Sequence, residues 1–317
     1  MSNFLVTGGG GFIGSNIVTE LLKQGHHVRV LDNFSTGRRQ NLTYYLDRID
    51  LIEGDLRSAG VVQQAVRDMD YVLHQGALPS VPRSIADPEA STGVNVTGTL
   101  NVLMAARDAK VKRVILASSS SIYGDIKDEF KVESMRPNPL SPYAVSKAAA
   151  EYYCQVFNKV YGLETVCLRY FNVFGLRQDP NSQYAAVIPK FIRAIRANKQ
   201  PIIYGDGTQS RDFTYIENVV HANLLAADKE NISGQIINIA CGDSISLLQL
   251  VEMINKILRK DITPIFNDAR AGDIKHSRAD ISKAKELLNY DVIVNFETGL
   301  RRTIEWYVET SKSPSSE

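Results

Sequence analysis

The feature that most constrains this chain is the run Thr7-Gly8-Gly9-Gly10-Gly11-Phe12-Ile13-Gly14. It lies between the apolar stretch Asn3–Thr7 and the amphipathic stretch Phe12–Gln24. Gly8, Gly11 and Gly14 make G-x-x-G-x-x-G, while Gly9, Gly11 and Gly14 also satisfy G-x-G-x-x-G. Glycines so spaced let a strand-to-helix turn close tightly and let backbone N–H groups approach a pyrophosphate at the positive helix end. Asp32 follows Gly14 by 18 residues, at the end of a second apolar run. A carboxylate there accepts from the adenosine ribose hydroxyls and repels a 2′-phosphate, so the pattern reads as a site for NAD rather than NADP. Arg38 and Arg39, which could serve a 2′-phosphate, come after Asn33 and the loop Ser35-Thr36-Gly37 and read as solvated surface. Asp55-Leu56, just past a third apolar run, is placed to flank adenine.

The rest of the first half repeats the alternation. Strands are expected at Asn3–Thr7, His27–Leu31, Leu51–Glu53, Tyr71–His74, Arg113–Ser118 and Glu164–Tyr170. Helices are expected at Phe12–Gln24, Ala59–Arg67, Asn95–Ala109 and Tyr143–Tyr161. Near-continuously apolar strands alternating with helices imply a Rossmann-type, doubly wound parallel α/β sheet buried on both faces. The pattern loosens after Arg169, with polar loops at Arg177–Gln183 and Gly205–Arg211, and Gln235–Ala240 reads as a strand returning to the sheet. From Ser246 onward the order reads helix, strand, helix, with Ser311–Glu317 disordered. The expected division is a nucleotide-binding domain of residues 1–171 plus about 214–240, interleaved with a smaller α/β domain of residues 172–213 and 241–317 that carries substrate loops.

Tyr143 and Lys147 form Y-x-x-x-K, and the i, i+4 spacing puts both on one helix face. Ser141 reads as the N-cap and Pro142 as the first helical residue. A tyrosine that serves as a base near neutral pH must lose roughly three pKa units, about 4 kcal/mol, through nearby positive charge. Lys147 and a nicotinamide cation are the sources in view. Upstream, Ser118-Ser119-Ser120-Ser121 places hydroxyls at the end of the fifth strand.

Charge and composition exclude other classes. With 36 basic against 35 acidic residues, the net charge of +1 offers no field for nucleic acid or an anionic membrane. Cys154, Cys167 and Cys241 are odd in number and form no CxxC, which fits buried thiols in a reducing cytosol. The five histidines make no HExxH, and no metal is expected. Met1-Ser2-Asn3 runs straight into Phe4-Leu5-Val6, so no leader is expected, and no apolar run approaches the roughly 20 residues that span a bilayer.

Across nearly its whole length the sequence resembles the extended short-chain dehydrogenase/reductase family. The matching pieces are TGGGGFIG (7–14), DN (32–33), GDL (54–56), SSSSIYGD (118–125), SPYAVSK (141–147), LRYFNVFG (168–175), GDGTQSRDF (205–213) and RAGD (270–273). Within that family it is most similar to UDP-sugar 4-epimerases, especially those for UDP-N-acetylglucosamine and its uronic acid. The resemblance implies that Tyr143 takes the C4 hydroxyl proton and that Lys147 lowers its pKa and holds the nicotinamide ribose. Ser119 would bond the same hydroxyl. The NAD set would comprise Gly8, Gly11, Phe12, Ile13, Gly14, Asp32, Asn33, Asp55, Leu56, Gln75, Ala77, Tyr143 and Lys147. The UDP-sugar set would comprise Ser119, Ser120, Ser121, Tyr143, Asn172, Val187, Arg211, Arg270, Asp273 and Ser277. Hydride would leave C4 for NAD⁺ and return to the other face of a 4-keto sugar.

Related chemistries fit less well. Nucleotide-sugar 4,6-dehydratases carry Asp-Glu where this chain has Ser120 and Ser121, and UDP-glucuronate decarboxylases carry Glu at the second place. A catalytically dead NAD-sensing regulator would lack the tyrosine that is present here. Ser277, four residues after Asp273, matches a pocket position where a small residue leaves room for an N-acetyl group. The resemblance also implies a homodimer in which Asn95–Ala109 and Tyr143–Tyr161 pair across a two-fold axis as a four-helix bundle.

Overall fold

The computed structural model describes residues 1–126, 128, 130–179, 186–269 and 275–310. Six strands, β1 (Asn3–Thr7), β2 (His27–Asp32), β3 (Ile49–Glu53), β4 (Tyr71–His74), β5 (Arg113–Ser119) and β6 (Glu164–Tyr170), join Gln235–Ile239 in one sheet. Its order is Gln235–Ile239, β6, β5, β4, β1, β2, β3, and every pairing is parallel. The doubly wound reading is thus borne out, including the return of Gln235–Ile239 beside β6.

Period-two alternation explains why both faces are covered. Leu5 packs with the core under α2 (Ala59–Val66), α5 (Gly98–Asp108) and α6 (Pro142–Tyr161), while its neighbours Phe4 and Val6 pack with the opposite core under α1 (Phe12–Lys23) and the helix Ile216–Asp228. Two short helices, α3 (Val81–Ala86) and α4 (Pro88–Thr92), lead into α5. The chain leaves β1 toward β2 and β3 on one side and resumes at β4 on the other. Such a switch point opens a crevice beyond the carboxyl ends of β1 and β4.

Two expected elements differ. The helix expected at Asn95–Ala109 is a π turn, Gly93–Thr97, followed by α5. After Ser246 come a helix Leu247–Leu258, strands Ile265–Asn267 and His276–Ser277, and two closing helices, Ser282–Leu288 and Phe296–Thr310, rather than one. Asn289 separates these two, because its left-handed backbone (φ 55°) ends the first of them. Beyond β6, Ser210–Arg211 pairs with both His276–Ser277 and Ile245–Ser246, bringing distant segments to one edge.

Candidate active site

The glycine turn is built so tightly that side chains are excluded. Gly8 has φ 68°, and a Cβ on Gly14 would stand 2.2 Å from the Gly8 carbonyl oxygen. Of the two glycine registers, the one through Gly8, Gly11 and Gly14 therefore carries the turn. Gly11 caps α1 with no side-chain hydrogen bond, so the first N–H groups of the helix face the crevice with their positive potential. Asp32 is buried, and its carboxylate accepts from Gly10 N (2.8 Å) and Phe34 N (2.7 Å). Burial raises its pKa and those two N–H groups oppose the rise. Asn33 donates to Asp55 (2.9 Å), whose carboxyl is held down at about 2, first by the Arg57 side chain, which forks onto both oxygens. Arg38 pairs with Asp179, and Arg39 pairs with Glu53 while lying 4.3 Å from the Phe34 ring centroid. The two arginines expected as solvated surface are thus engaged in partly exposed ion pairs.

Asp32, Asn33 and Asp55 line a crevice of about 600 Å³ that runs from the glycine turn to Tyr143 and Lys147. Every residue expected to touch the dinucleotide, Gln75 and Ala77 among them, stands on its wall. The catalytic helix begins as expected, with Ser141 accepting from Ala144 N (3.2 Å) and Pro142 opening the first turn. Ser84, on α3, accepts from the Tyr143 N–H (3.0 Å) and so ties the start of α6 to the crevice rim. The Tyr143 phenol hydrogen-bonds Ser119; burial pushes its pKa up, and Ser119 works against that rise. Lys147 is buried, donates to the Ala117 carbonyl (2.9 Å) and lies 6.0 Å from the Tyr143 ring centroid. Burial brings its pKa down to about 8, against the pull of Glu151. Ser119 also accepts from Ser121 N (3.2 Å), and the Ser121 hydroxyl is buried without a partner; Ser120 opens the same short turn.

A second cavity, about 710 Å³, adjoins the first at Ala186, which borders both. Asn172, Val187 and Arg211 line it together with Lys190, Arg193 and Lys199, over an apolar floor that includes Phe191, Phe213 and Leu247. Asn172 donates to the Asp212 carbonyl (3.0 Å), and Asp212 N donates to the Ser277 carbonyl (2.8 Å). Ser277 is buried beside Arg211 in strand register and is not on either cavity wall. Arg270 and Asp273 lie outside the described residues. Among the described residues, no cluster of side chains suits a metal ion, and no helix is long and apolar enough to cross a membrane.

Sequence reasoning missed the buried polar groups behind the site. His74 bridges Thr7 (2.7 Å) and Thr99 (3.0 Å), and burial lowers its pKa to about 3, so the ring is neutral. Thr99 donates to the Asn95 carbonyl (2.6 Å), which fixes the His74 proton on Nε2. Asn95 in turn clasps Leu78 N (2.7 Å) and donates to Ser146 (3.0 Å). Glu151, buried one turn beyond Lys147, accepts from Arg169 on both oxygens (2.8 and 2.7 Å). An acidic residue at i+4 on an otherwise buried ridge was the available signal.

A crevice of this shape, with an acidic strand end on one side and a Tyr-x-x-x-Lys helix on the other, defines an NAD-binding protein of the short-chain dehydrogenase/reductase type. Residues 4–240 match the sequence profile of the NAD dependent epimerase/dehydratase family, and the chain belongs to that family. It is 35% identical over 98% of its length to a putative UDP-glucose 4-epimerase of Methanocaldococcus jannaschii, covering 99% of that protein. The solved UDP-N-acetylglucosamine 4-epimerase from Methanobrevibacter ruminantium, in complex with UDP-N-acetylmuramic acid, superposes with a TM-score of 0.93 at 43% identity, covering 98% of this chain and 99% of that one. The UDP-glucuronic acid 4-epimerase from Bacillus cereus, solved with UDP-glucuronic acid and NAD, superposes with a TM-score of 0.90 at 34% identity, covering 97% and 99%. NAD is the cofactor, and the side-chain-free cradle at Gly8 and Gly14 fits its pyrophosphate.

Proposed function

We propose that the chain is a UDP-sugar 4-epimerase whose substrate is UDP-N-acetylglucosamine, interconverted with its C4 epimer. The observation that carries this reading is the placement of Tyr143, Lys147 and Ser119 where the dinucleotide crevice ends, with a cation-lined second cavity adjoining at Ala186. Bound NAD supplies the acceptor and donor for the C4 hydride. Ser119 and Tyr143 hold the C4 hydroxyl, and the Tyr143 phenolate takes its proton, becoming the phenol. Lys147 supplies positive charge beside that phenol, against the rise that burial imposes. Arg211 and Asn172 stand on the cavity wall in position to receive the UDP moiety, with guanidinium geometry suited to phosphate. In this reading Arg270 and Asp273 complete the nucleotide contacts, Ser120 and Ser121 border the sugar, and Ser277 backs the cavity wall through its strand partner Arg211.

Several features support the narrower choices. The 43% identity to a UDP-N-acetylglucosamine 4-epimerase and the small residue at Ser277 favour the acetamido sugar. A uronate is the second reading, favoured by the cationic side chains Lys190, Arg193, Lys199 and Arg211 on the wall of the second cavity. The free thiols of Cys154, Cys167 and Cys241 suit a reducing compartment such as the cytoplasm. In domain terms, residues 1–171 with about 214–240 hold NAD, and residues 172–213 and 241–317 hold the UDP-sugar.

The test is kcat/KM on UDP-glucose, UDP-N-acetylglucosamine and UDP-glucuronate, repeated with Ser277→Tyr. The acetamido substrate is expected to lead the wild-type series. Ser277→Tyr is expected to abolish its turnover and spare UDP-glucose. Equal losses on both, or no change on either, remove Ser277 as the gate and the substrate assignment with it.

A further inference from the structure

Glu151 is 2% exposed, and both its oxygens are used by elements other than its own helix. Ser118, on β5 next to Ser119, donates to Oε1 at 2.6 Å, and Arg169, on β6, forks onto Oε1 and Oε2. Glu151 also stands one helical turn after Lys147, as Lys147 stands one turn after Tyr143, so the three share a buried ridge of α6. The charges near Lys147 can be counted element by element. From β4 comes His74, which is neutral; from β6 come Cys167 and Arg169; from α6 itself come Tyr143, Glu151 and Cys154. Glu151 is the single carboxylate among them; it pairs with Arg169 at 2.7 Å and acts on Lys147 through space, one helical turn away.

A buried ammonium with no counter-charge gives up its proton rather than remain desolvated. Resting on the roles proposed above for Tyr143 and Lys147, we propose that Glu151 is a positioning residue of the active site, the buried counter-charge against which Lys147 stays an ammonium beside the Tyr143 phenol. Arg169 sets the strength of this support. By sharing the carboxylate it keeps Glu151 from neutralising Lys147 outright, so the ridge presents net positive charge toward the phenol. The hydrogen bond from Ser118 fixes the same carboxylate to the strand end that carries Ser119. The pull of Glu151 on Lys147, opposing burial, agrees with this arrangement.

The test is the pH dependence of kcat for the NAD-loaded enzyme, read on its alkaline limb, where Lys147 loses its proton. Glu151→Gln is expected to move that limb down by about one pH unit, about a tenfold loss at fixed alkaline pH with a much smaller loss near pH 6. Glu151→Asp is expected to restore part of the shift. Arg169→Met is expected to move the limb up, because the carboxylate is then left to Lys147 alone. Ser118→Ala, which removes a hydrogen bond but no charge, is expected to leave the limb in place. If Glu151→Gln does not fold, the Arg169→Met profile decides: an upward movement supports the inference and an unmoved limb overturns it. A uniform loss of kcat at every pH in Glu151→Gln also overturns it. Tyr143→Phe separates the two layers of the argument. Full activity in that variant sinks the proposed mechanism, whereas an inactive Tyr143→Phe beside an unmoved Glu151→Gln limb sinks only the role of Glu151.

Discussion

Each oxygen of Asp32 already accepts one backbone N–H, from Gly10 and from Phe34, and a carboxylate oxygen has a second lone pair to offer. Those remaining lone pairs face the crevice wall, where ribose hydroxyls can reach them and a 2′-phosphate would be repelled. Arg38 and Arg39 do not relieve that repulsion, since their guanidinium groups are committed to Asp179 and Glu53. Burial raises the Asp32 pKa above its unfolded value, so its contribution to folding is fully present when protonated at acid pH and is lost as pH rises through the folded pKa. At neutral pH the ionised carboxylate therefore serves binding more than stability. Asp32→Ser is expected to weaken NAD binding by about tenfold or more, since bonds to a charged group contribute about 1.5–3 kcal/mol each, and to narrow the preference over NADP. Calorimetric Kd values for both nucleotides check this. A wild-type protein that prefers NADP would refute the assignment.

The π turn Gly93–Thr97 is an element whose reason lies outside its own sequence. Widening the helix there places Asn95 so that its amide clasps both Leu78 N and Leu78 O and also reaches Ser146 on α6. Leu78 and Ser80 stand on the crevice wall, and Ser80 holds φ 100°, a strained value for a residue with a side chain. Asn95 on one side of Ser80 and the Ser84 bond to Tyr143 N on the other brace that conformation. Asn95→Ala leaves the part-buried Leu78 N–H without its acceptor, and a loss of about 1 kcal/mol is expected, measured by urea denaturation; an unchanged midpoint would refute the bracing. Nothing in the spacing of Asn95 announces this turn, because a π turn and an α turn share the same apolar pattern. By contrast β1, α1, β2 and the Ser141-Pro142 start of α6 were legible, since glycine spacing, period-two apolarity and a serine cap are local signals. The nucleotide half of the site was legible for the same reason. Glu151 with Arg169 and the Thr7–His74–Thr99 chain were not, because they are partnerships across strands that sequence distance conceals.

At the scale of the molecule, one face of α6 has no cover among the described residues. Val145, Tyr152, Val156 and Val160 are exposed along a single stripe, while Ala144, Lys147, Glu151 and Cys154 turn the opposite face into the core. On the neighbouring α5, Leu100 and Met104 are half-buried at i, i+4. A contiguous apolar band of that length is unusual on a monomer's surface. We propose that a second copy covers it about a two-fold axis, α5 and α6 of each protomer forming a four-helix bundle, because a self-complementary stripe closes on itself in an isologous dimer. In that arrangement the dimer braces α6, the helix that carries Tyr143 and Lys147. Two consequences follow for Val156→Glu, which sets like charges against each other across the axis. It is expected to reduce the mass by light scattering at micromolar concentration from twice 35.2 kDa to 35.2 kDa. It is also expected to lower the thermal midpoint while retaining bound NAD and measurable epimerisation. A wild-type protein that is monomeric at that concentration removes the bundle. A Val156→Glu protein that is monomeric and has lost its NAD would show instead that α6 needs its partner to hold Tyr143 and Lys147 in place.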